Sequence, residues 1–184
     1  MKFLKYFLYL ILGLVVVFFA IGFLKPSVSY GHEITVNKPI KEAWAVQQDA
    51  TKYDQWLEGF KSIDLISGEK GKVGSTYKVV VKPEEDQPDF EMIETLVAKK
   101  DFESIQLSFD SDMMLFEQTT SFSEVDGKTK IKTDSKVSGK GMVMRSMFAL
   151  MELFGGSFQA QEVKNIEALK QVIEENQTDY DVST

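Results

Sequence analysis

Residues 6–24 form an unbroken run of 19 uncharged, mostly apolar residues, and everything after it is patterned differently. At about 1.5 Å per helical residue the run spans roughly 28 Å, close to the thickness of a hydrocarbon core, and predicts a helix able to cross a bilayer. Period-two alternation then predicts strands at 32–37, 62–67, 73–81, 90–98, 104–109, 114–122 and 128–137. In the third of these Val73, Ser75, Tyr77, Val79 and Val81 share one face, with Thr76, Lys78 and Val80 opposite. An acidic, proline-bounded loop is expected at 83–88, and Asp126-Gly127 signals a hairpin between the last two strands. Strands joined by short turns form an antiparallel meander with one wet face, and residues 142–175 predict the helix that covers the other. In its first half Val143, Met144, Met147, Phe148, Leu150, Met151 and Phe154 fall within an arc of about 160° at 100° per residue. Gly155-Gly156 loosens or kinks this helix, and beyond it Val163, Ile166, Leu169 and Ile173 recur as an amphipathic packing stripe.

Charge separates the two parts of the chain. Lys2, Lys5 and Lys25 are the only charges up to residue 25, so the remaining 159 residues hold 18 basic and 28 acidic side chains, a net of −10. That balance excludes nucleic acid, which needs a basic surface, and Arg145 is the only arginine. The chain has no cysteine, hence no disulfide, thiolate nucleophile or cysteine zinc site. We divide it into a transmembrane anchor (1–25), a tether (26–31), one α+β domain (32–175) and a polar tail (176–184). The apolar run is longer than the ~7 to 15 residues of a signal-peptide core and lacks a good cleavage site, which favours a retained single-pass anchor. Two lysines before the run against one after it place the amino terminus in the cytoplasm and the domain outside. Asn176-Gln-Thr matches a glycosylation sequon by pattern only.

The most specific block is Pro39-Ile-Lys-Glu-Ala-Trp44, with Asp49 opening a second short helix through Tyr53 and Trp56, followed by Gly68, Gly71, Gly74 and Tyr77. Asp49 suits an N-cap, where a carboxylate accepts orphan amide hydrogens. The GxxGxxG spacing joins strand to strand, whereas phosphate-cradling loops need a helix amino terminus behind them, so it reads as a hairpin turn. The block resembles the opening of the START-like, helix-grip superfamily (SRPBCC), which includes polyketide cyclases and aromatases, lipid-transfer domains, plant pathogenesis-related allergens and Hsp90 ATPase activators. The resemblance covers residues 34–173 and implies a curved antiparallel sheet gripping a long carboxyl-terminal helix. It is informative about fold more than function, because the superfamily keeps its scaffold while changing what sits inside.

Little in the chain carries chemistry. His32 is the only histidine, so no histidine triad or multi-histidine metal site forms, and no catalytic residue, cofactor or metal ligand is assigned. Arg145 falls on the helix arc of Ala149 and Glu152, away from the apolar side, where a surface pair with Glu152 or solvation is expected. Glu117 alternates to the wet face. Tyr53, Trp56, Tyr77, Met92, Met113, Met114, Phe116, Gln118, Met144, Phe148 and Met151 are the candidates to face the space between sheet and helix, with Thr120 adding a polar group. Trp44 is assigned to the core. In START-like proteins that space is commonly a cavity, and a mostly apolar pocket with a few polar groups suits a lipid or polycyclic molecule. A filled core uses the same residues, so both interiors stay open at this point. The expected function is a membrane-anchored binder of a hydrophobic small molecule, with a cyclase-like enzyme and a protein-interaction module as rivals. A buried carboxylate or tyrosine at the cavity wall without a structural partner favours the enzyme; a filled interior with a large exposed apolar patch favours the module. The sequence specifies no oligomeric state.

Overall fold

The computed structural model describes residues 2–82 and 86–180. Helix α1 (Lys2–Leu24) is followed by strand β1 (Ser27–Val36), helix α2 (Ile40–Gln48), a 3-10 turn (Ala50–Lys52), the short helix α3 (Tyr53–Trp56) and six strands. These are β2 (Phe60–Ser67), β3 (Thr76–Val81), β4 (Phe90–Lys100), β5 (Ser104–Asp110), β6 (Met114–Val125) and β7 (Lys128–Gly139). Helices α4 (Gly141–Gly155) and α5 (Ser157–Glu174) complete the fold. All seven strands form one antiparallel sheet in the order β1-β7-β6-β5-β4-β3-β2. The meander runs from β2 to β7, and β1 closes it by pairing with β7.

The short helices carry the chain from β1 at one edge to β2 at the other. Pro39 immediately precedes α2, and the Asp49 carboxylate accepts from Thr51 N–H at 3.0 Å, capping the 3-10 turn. Gly68, Gly71 and Gly74 all have positive φ, which makes the GxxGxxG segment the β2–β3 turn and gives it a physical need for glycine. Trp44 lies in the core edge-on to Phe122, with ring centroids 5.1 Å apart. Around it Ile34, Val36, Trp56, Leu96, Ile131, Ile166, Leu169 and Ile173 form the main hydrophobic cluster.

Four boundaries differ from the expectation. Strand β3 starts at Thr76 and not at 73, because Val73 is 58% exposed in the glycine-rich turn. Residues 27–31, assigned to a tether, are the first half of β1, paired from Ser27↔Ser138 to Gly31↔Asp134; only Lys25 and Pro26 separate β1 from α1. Ser27-Val28-Ser29-Tyr30-Gly31 does alternate, with Val28 and Tyr30 on the concave face; the short polar and glycine positions after Pro26 read as a tether only because they are small and flexible by composition. The carboxyl-terminal helix is two helices, since Gly156 adopts a left-handed φ of 56° that ends α4 and redirects the chain. The tail is fastened as far as Tyr180: Asn176 Nδ2 donates to Glu42 Oε1 and to Thr178 O, both at 2.9 Å, and Tyr180 Oη donates to Asp49 Oδ2 at 2.8 Å. Buried and doubly bonded, Asn176 is no glycan acceptor in this fold. Residues 83–85 of the acidic loop and 181–184 of the tail lie outside the described residues. Tyr180→Phe removes the Asp49 bond and is expected to cost about 1 kcal/mol, lowering Tm by a few degrees and speeding proteolytic trimming of the tail.

Candidate functional site

The concave face of the sheet is built from two cross-strand rows. One runs Tyr77, Glu94, Phe109, Phe116, Val137, Val28, each directly opposite the next. The other runs Leu96, Leu107, Gln118, Ser135, Tyr30. Helix α5 lies over this face but packs on β1, α2 and α3. The consequence is visible in burial: Val28, Val137 and Ser135 are buried, whereas Tyr77, Met92, Glu94, Phe109 and Phe116 are only partly so.

The α4 end of this face is packed with rings. Tyr30 stacks on Phe116 and on Phe158, Phe109 stacks on Phe116 at 5.3 Å, and Phe148 meets Phe158 edge-on at 5.3 Å. Met114 and Met144 fill in around them. Between this end and the main core sits a polar knot: Ser135 Oγ donates to Glu162 Oε1 at 3.0 Å, and the Gln118 side-chain amide donates to both Glu162 oxygens at 3.1 and 3.3 Å. Burial first, and the carboxylates of Glu162 and Glu152 second, push the Tyr30 hydroxyl pKa well up. Glu152 turns inward from α4, and its Oε2 is buried without a hydrogen-bond partner among the described residues.

The β3–β4 end differs in kind. Glu94 makes no hydrogen bond or ion pair among the described residues, and burial alone raises its carboxyl pKa to about 7. Tyr53 rises well above its ordinary value, by burial first and then by the nearby charge of Glu94, Asp49 and Tyr77. Its ring packs edge-on against Trp56 at 5.7 Å and Phe60 at 5.5 Å. The Trp56 indole N–H is buried without a hydrogen-bond partner among the described residues, while Tyr77 Oη is already engaged as acceptor from Gly71 N–H at 2.7 Å. This end therefore presents a carboxyl that changes protonation near neutrality and, within its electrostatic reach, the Tyr53 phenol. Such a set can bind a polar group on an apolar molecule or exchange a proton with it.

The candidate residues divide accordingly. Tyr53, Trp56, Tyr77 and Met92 belong to the β3–β4 end, and Met114, Phe116, Met144 and Phe148 to the ring-packed end. Gln118 is on the concave face with its amide held by Glu162. Met151 and Met113 do not line the groove: they are 42% and 43% exposed, Met151 because α4 turns that side outward and Met113 because it sits in the β5–β6 turn. Arg145 pairs with neither Glu152 nor a groove, its Nε donating to Gly139 O at 3.2 Å. His32 Nε2 lies 2.8 Å from Glu167 Oε1 at the surface. Among the described residues no cluster of three or more His, Cys, Asp or Glu is arranged for a metal. A separate groove of about 660 Å³ lies between α2 and the tail, bordered by Pro39, Trp44, Phe102 and Tyr180, and shares no residue with the candidate set.

Helix α1 is 23 residues long, with an 18-residue window of mean hydropathy 2.9, long and apolar enough to cross a membrane. No protein-family model matches the chain, and no curated protein matches it. Solved structures do. The protein Ara h 8.0201 superposes with a TM-score of 0.60 at 16% identity, over 82% of this chain and 99% of its own. The di-domain ARO/CYC StfQ of the steffimycin biosynthetic pathway gives 0.64 at 10% identity over 82% of this chain, which spans 52% of that protein. Norcoclaurine synthase from Thalictrum flavum, in complex with dopamine and hydroxybenzaldehyde, gives 0.58 at 14% identity over 83% of this chain and 90% of its own. At these identities the likeness establishes architecture: the chain has the START-like, helix-grip fold, preceded by one apolar helix.

Proposed function

We propose that the protein is a membrane-anchored binder of an apolar small molecule or lipid that carries one hydrogen-bonding or cationic group. The observation that carries this reading is the β3–β4 end of the concave face, where Glu94 has no hydrogen-bond or ion-pair partner among the described residues and lies within electrostatic reach of Tyr53, with Met92 and Tyr77 on the same face. A buried carboxyl without a partner is costly in an empty protein and useful in a loaded one, since a ligand donor would satisfy it. Helix α1 supplies the anchor, with Lys2 and Lys5 favouring a cytoplasmic amino terminus and an extracytoplasmic domain. The separation of α1 from β1 by two residues would hold the groove at the bilayer surface.

Native mass spectrometry of the full chain released from detergent micelles tests this. The expected result is one reproducible adduct, extractable into organic solvent, that is lost in Glu94→Leu and kept in the surface variant Lys136→Ala. An apo mass, or adducts equal in all three proteins, overturns it.

A second reading is acid–base catalysis on the bound molecule. It is favoured by the position of the Glu94 pKa near 7, where a carboxyl both gives and takes a proton at neutral pH. Turnover of the extracted compound with a pH profile inflecting near 7, abolished in Glu94→Gln, would support catalysis; unchanged compound after incubation leaves binding alone.

A further inference from the structure

Helix α4 has three sides, and only two are covered by protein. Met144 and Phe148 pack onto Val28, Val137 and Phe116 of the sheet. Ser146, fully buried, faces α1: Gly22 is buried against it so closely that a Cβ there would lie 2.2 Å from Ser146 Oγ and 2.6 Å from its backbone nitrogen. Small residues at such a contact are what lets two helix backbones pack side by side in lipid. The third side carries Val143, Met147, Met151 and Phe154, within an arc of about 80° at 100° per residue. They are 57%, 39%, 42% and 82% exposed. Both charges of α4 point elsewhere, Arg145 to Gly139 O and Glu152 inward. Met113 extends the apolar surface, its carbonyl accepting from Lys140 N–H at the start of α4.

We propose that α4 is an interfacial membrane helix, lying beside α1 with Val143, Met147, Met151 and Phe154 in the acyl-chain boundary of the same bilayer. The proposal rests on α1 being the membrane anchor. Lipid is the occupant because the stripe continues the apolar surface of α1 across the Gly22–Ser146 contact. On α1 itself exposure falls along one face from Val15 through Phe18 to Gly22, which puts α4 against the last two turns, at the edge of the hydrocarbon rather than its middle. A bilayer that takes up α1 meets α4 at the same time. The helix then separates lipid on its outer side from the ring-packed end of the groove on its inner side, and gives an apolar ligand a route between the two that avoids water.

The chain has no cysteine, so single sites can be labelled in the full-length protein. Val143→Cys, Met147→Cys and Phe154→Cys would each carry an environment-sensitive fluorophore in phosphatidylcholine vesicles. Val16→Cys in α1 and Lys136→Cys on the convex face of β7 are the references. The expected result is blue-shifted emission at the three α4 sites, quenched by lipid-borne nitroxide and protected from aqueous iodide, as at Val16 and unlike Lys136. Quenching of the α4 sites by iodide with Val16 still in lipid overturns the proposal and leaves the anchor intact. Iodide quenching at Val16 as well overturns the anchor and the proposal with it. Protection of the α4 sites from both quenchers overturns the proposal in favour of a protein partner or second copy.

Discussion

Replacing Glu94 by glutamine is expected to stabilise the protein at pH 8 and to change nothing near pH 4. The folded pKa of Glu94 is raised to about 7 by burial, above its ordinary value of 4.5. Below the unfolded value both states hold the proton and the side chain is neutral on either side of the transition. Between about pH 4.5 and 7 the unfolded chain releases the proton while the folded one retains it, so stability falls as pH rises and levels off above 7. The difference corresponds to about 3 kcal/mol, or roughly 6 to 12 °C in Tm for a domain of this size. Glutamine keeps the shape and cannot ionise, so its gain over the wild type should grow through that window and plateau. Thermal melts of both proteins across pH 4 to 8 measure it. Parallel curves would mean that Glu94 is solvated, and would remove the physical basis for assigning it to the groove. A bound ligand with a cationic group would shrink the wild-type deficit, so the same melts repeated with extracted compound report on occupancy.

Glu94 is not singled out in the sequence, although alternation puts it on the same face of β4 as the candidate Met92. Strand β4 alternates only from Phe90 to Glu94, and its convex face carries Ile93 and Val97, both more than 40% exposed, so neither face is the apolar one. Periodicity locates the strand and leaves its orientation to its neighbours. Where polarity is one-sided, periodicity and structure agree: β7 alternates buried and exposed residues through almost its whole length, and the Asp126-Gly127 turn has both residues at positive φ. The apolar arc of α4 was legible too, but not what covers it. A helical stripe looks the same whether it meets a sheet or acyl chains, and the structure splits this one, Met144 and Phe148 going to the sheet and Val143, Met147, Met151 and Phe154 to the outside.

Glu162→Ala is expected to produce the largest loss of stability among single substitutions away from the apolar core. The stripe on α5 is Glu162, Ile166, Leu169, Ile173, all buried, so a carboxylate occupies a position that periodicity alone gives to an aliphatic residue; Val163, which the sequence pattern favoured, is one residue off and only partly buried. Its oxygens accept from Ser135 on β7 and Gln118 on β6 and so tie the middle of α5 to the sheet just where the ring-packed end gives way to the main core. Alanine leaves the buried Ser135 hydroxyl without its acceptor and the Gln118 amide with only Ser135 Oγ, at 3.2 Å, and about 3 to 5 kcal/mol should be lost, seen as a Tm lowered by roughly 10 °C. A buried carboxylate is itself costly to desolvate, so the loss upon breaking the knot is not the net worth of having it. The triple variant Gln118→Leu, Ser135→Ala, Glu162→Leu separates the two quantities. If it recovers stability while the ligand adduct disappears, the knot exists to set the height of α5 above the sheet, and with it the width of the groove beside Glu94. A triple variant as unstable as Glu162→Ala would instead make the knot an ordinary packing requirement, and a single variant that loses less than about 1 kcal/mol would show that α5 is held by Ile166, Leu169 and Ile173 without it.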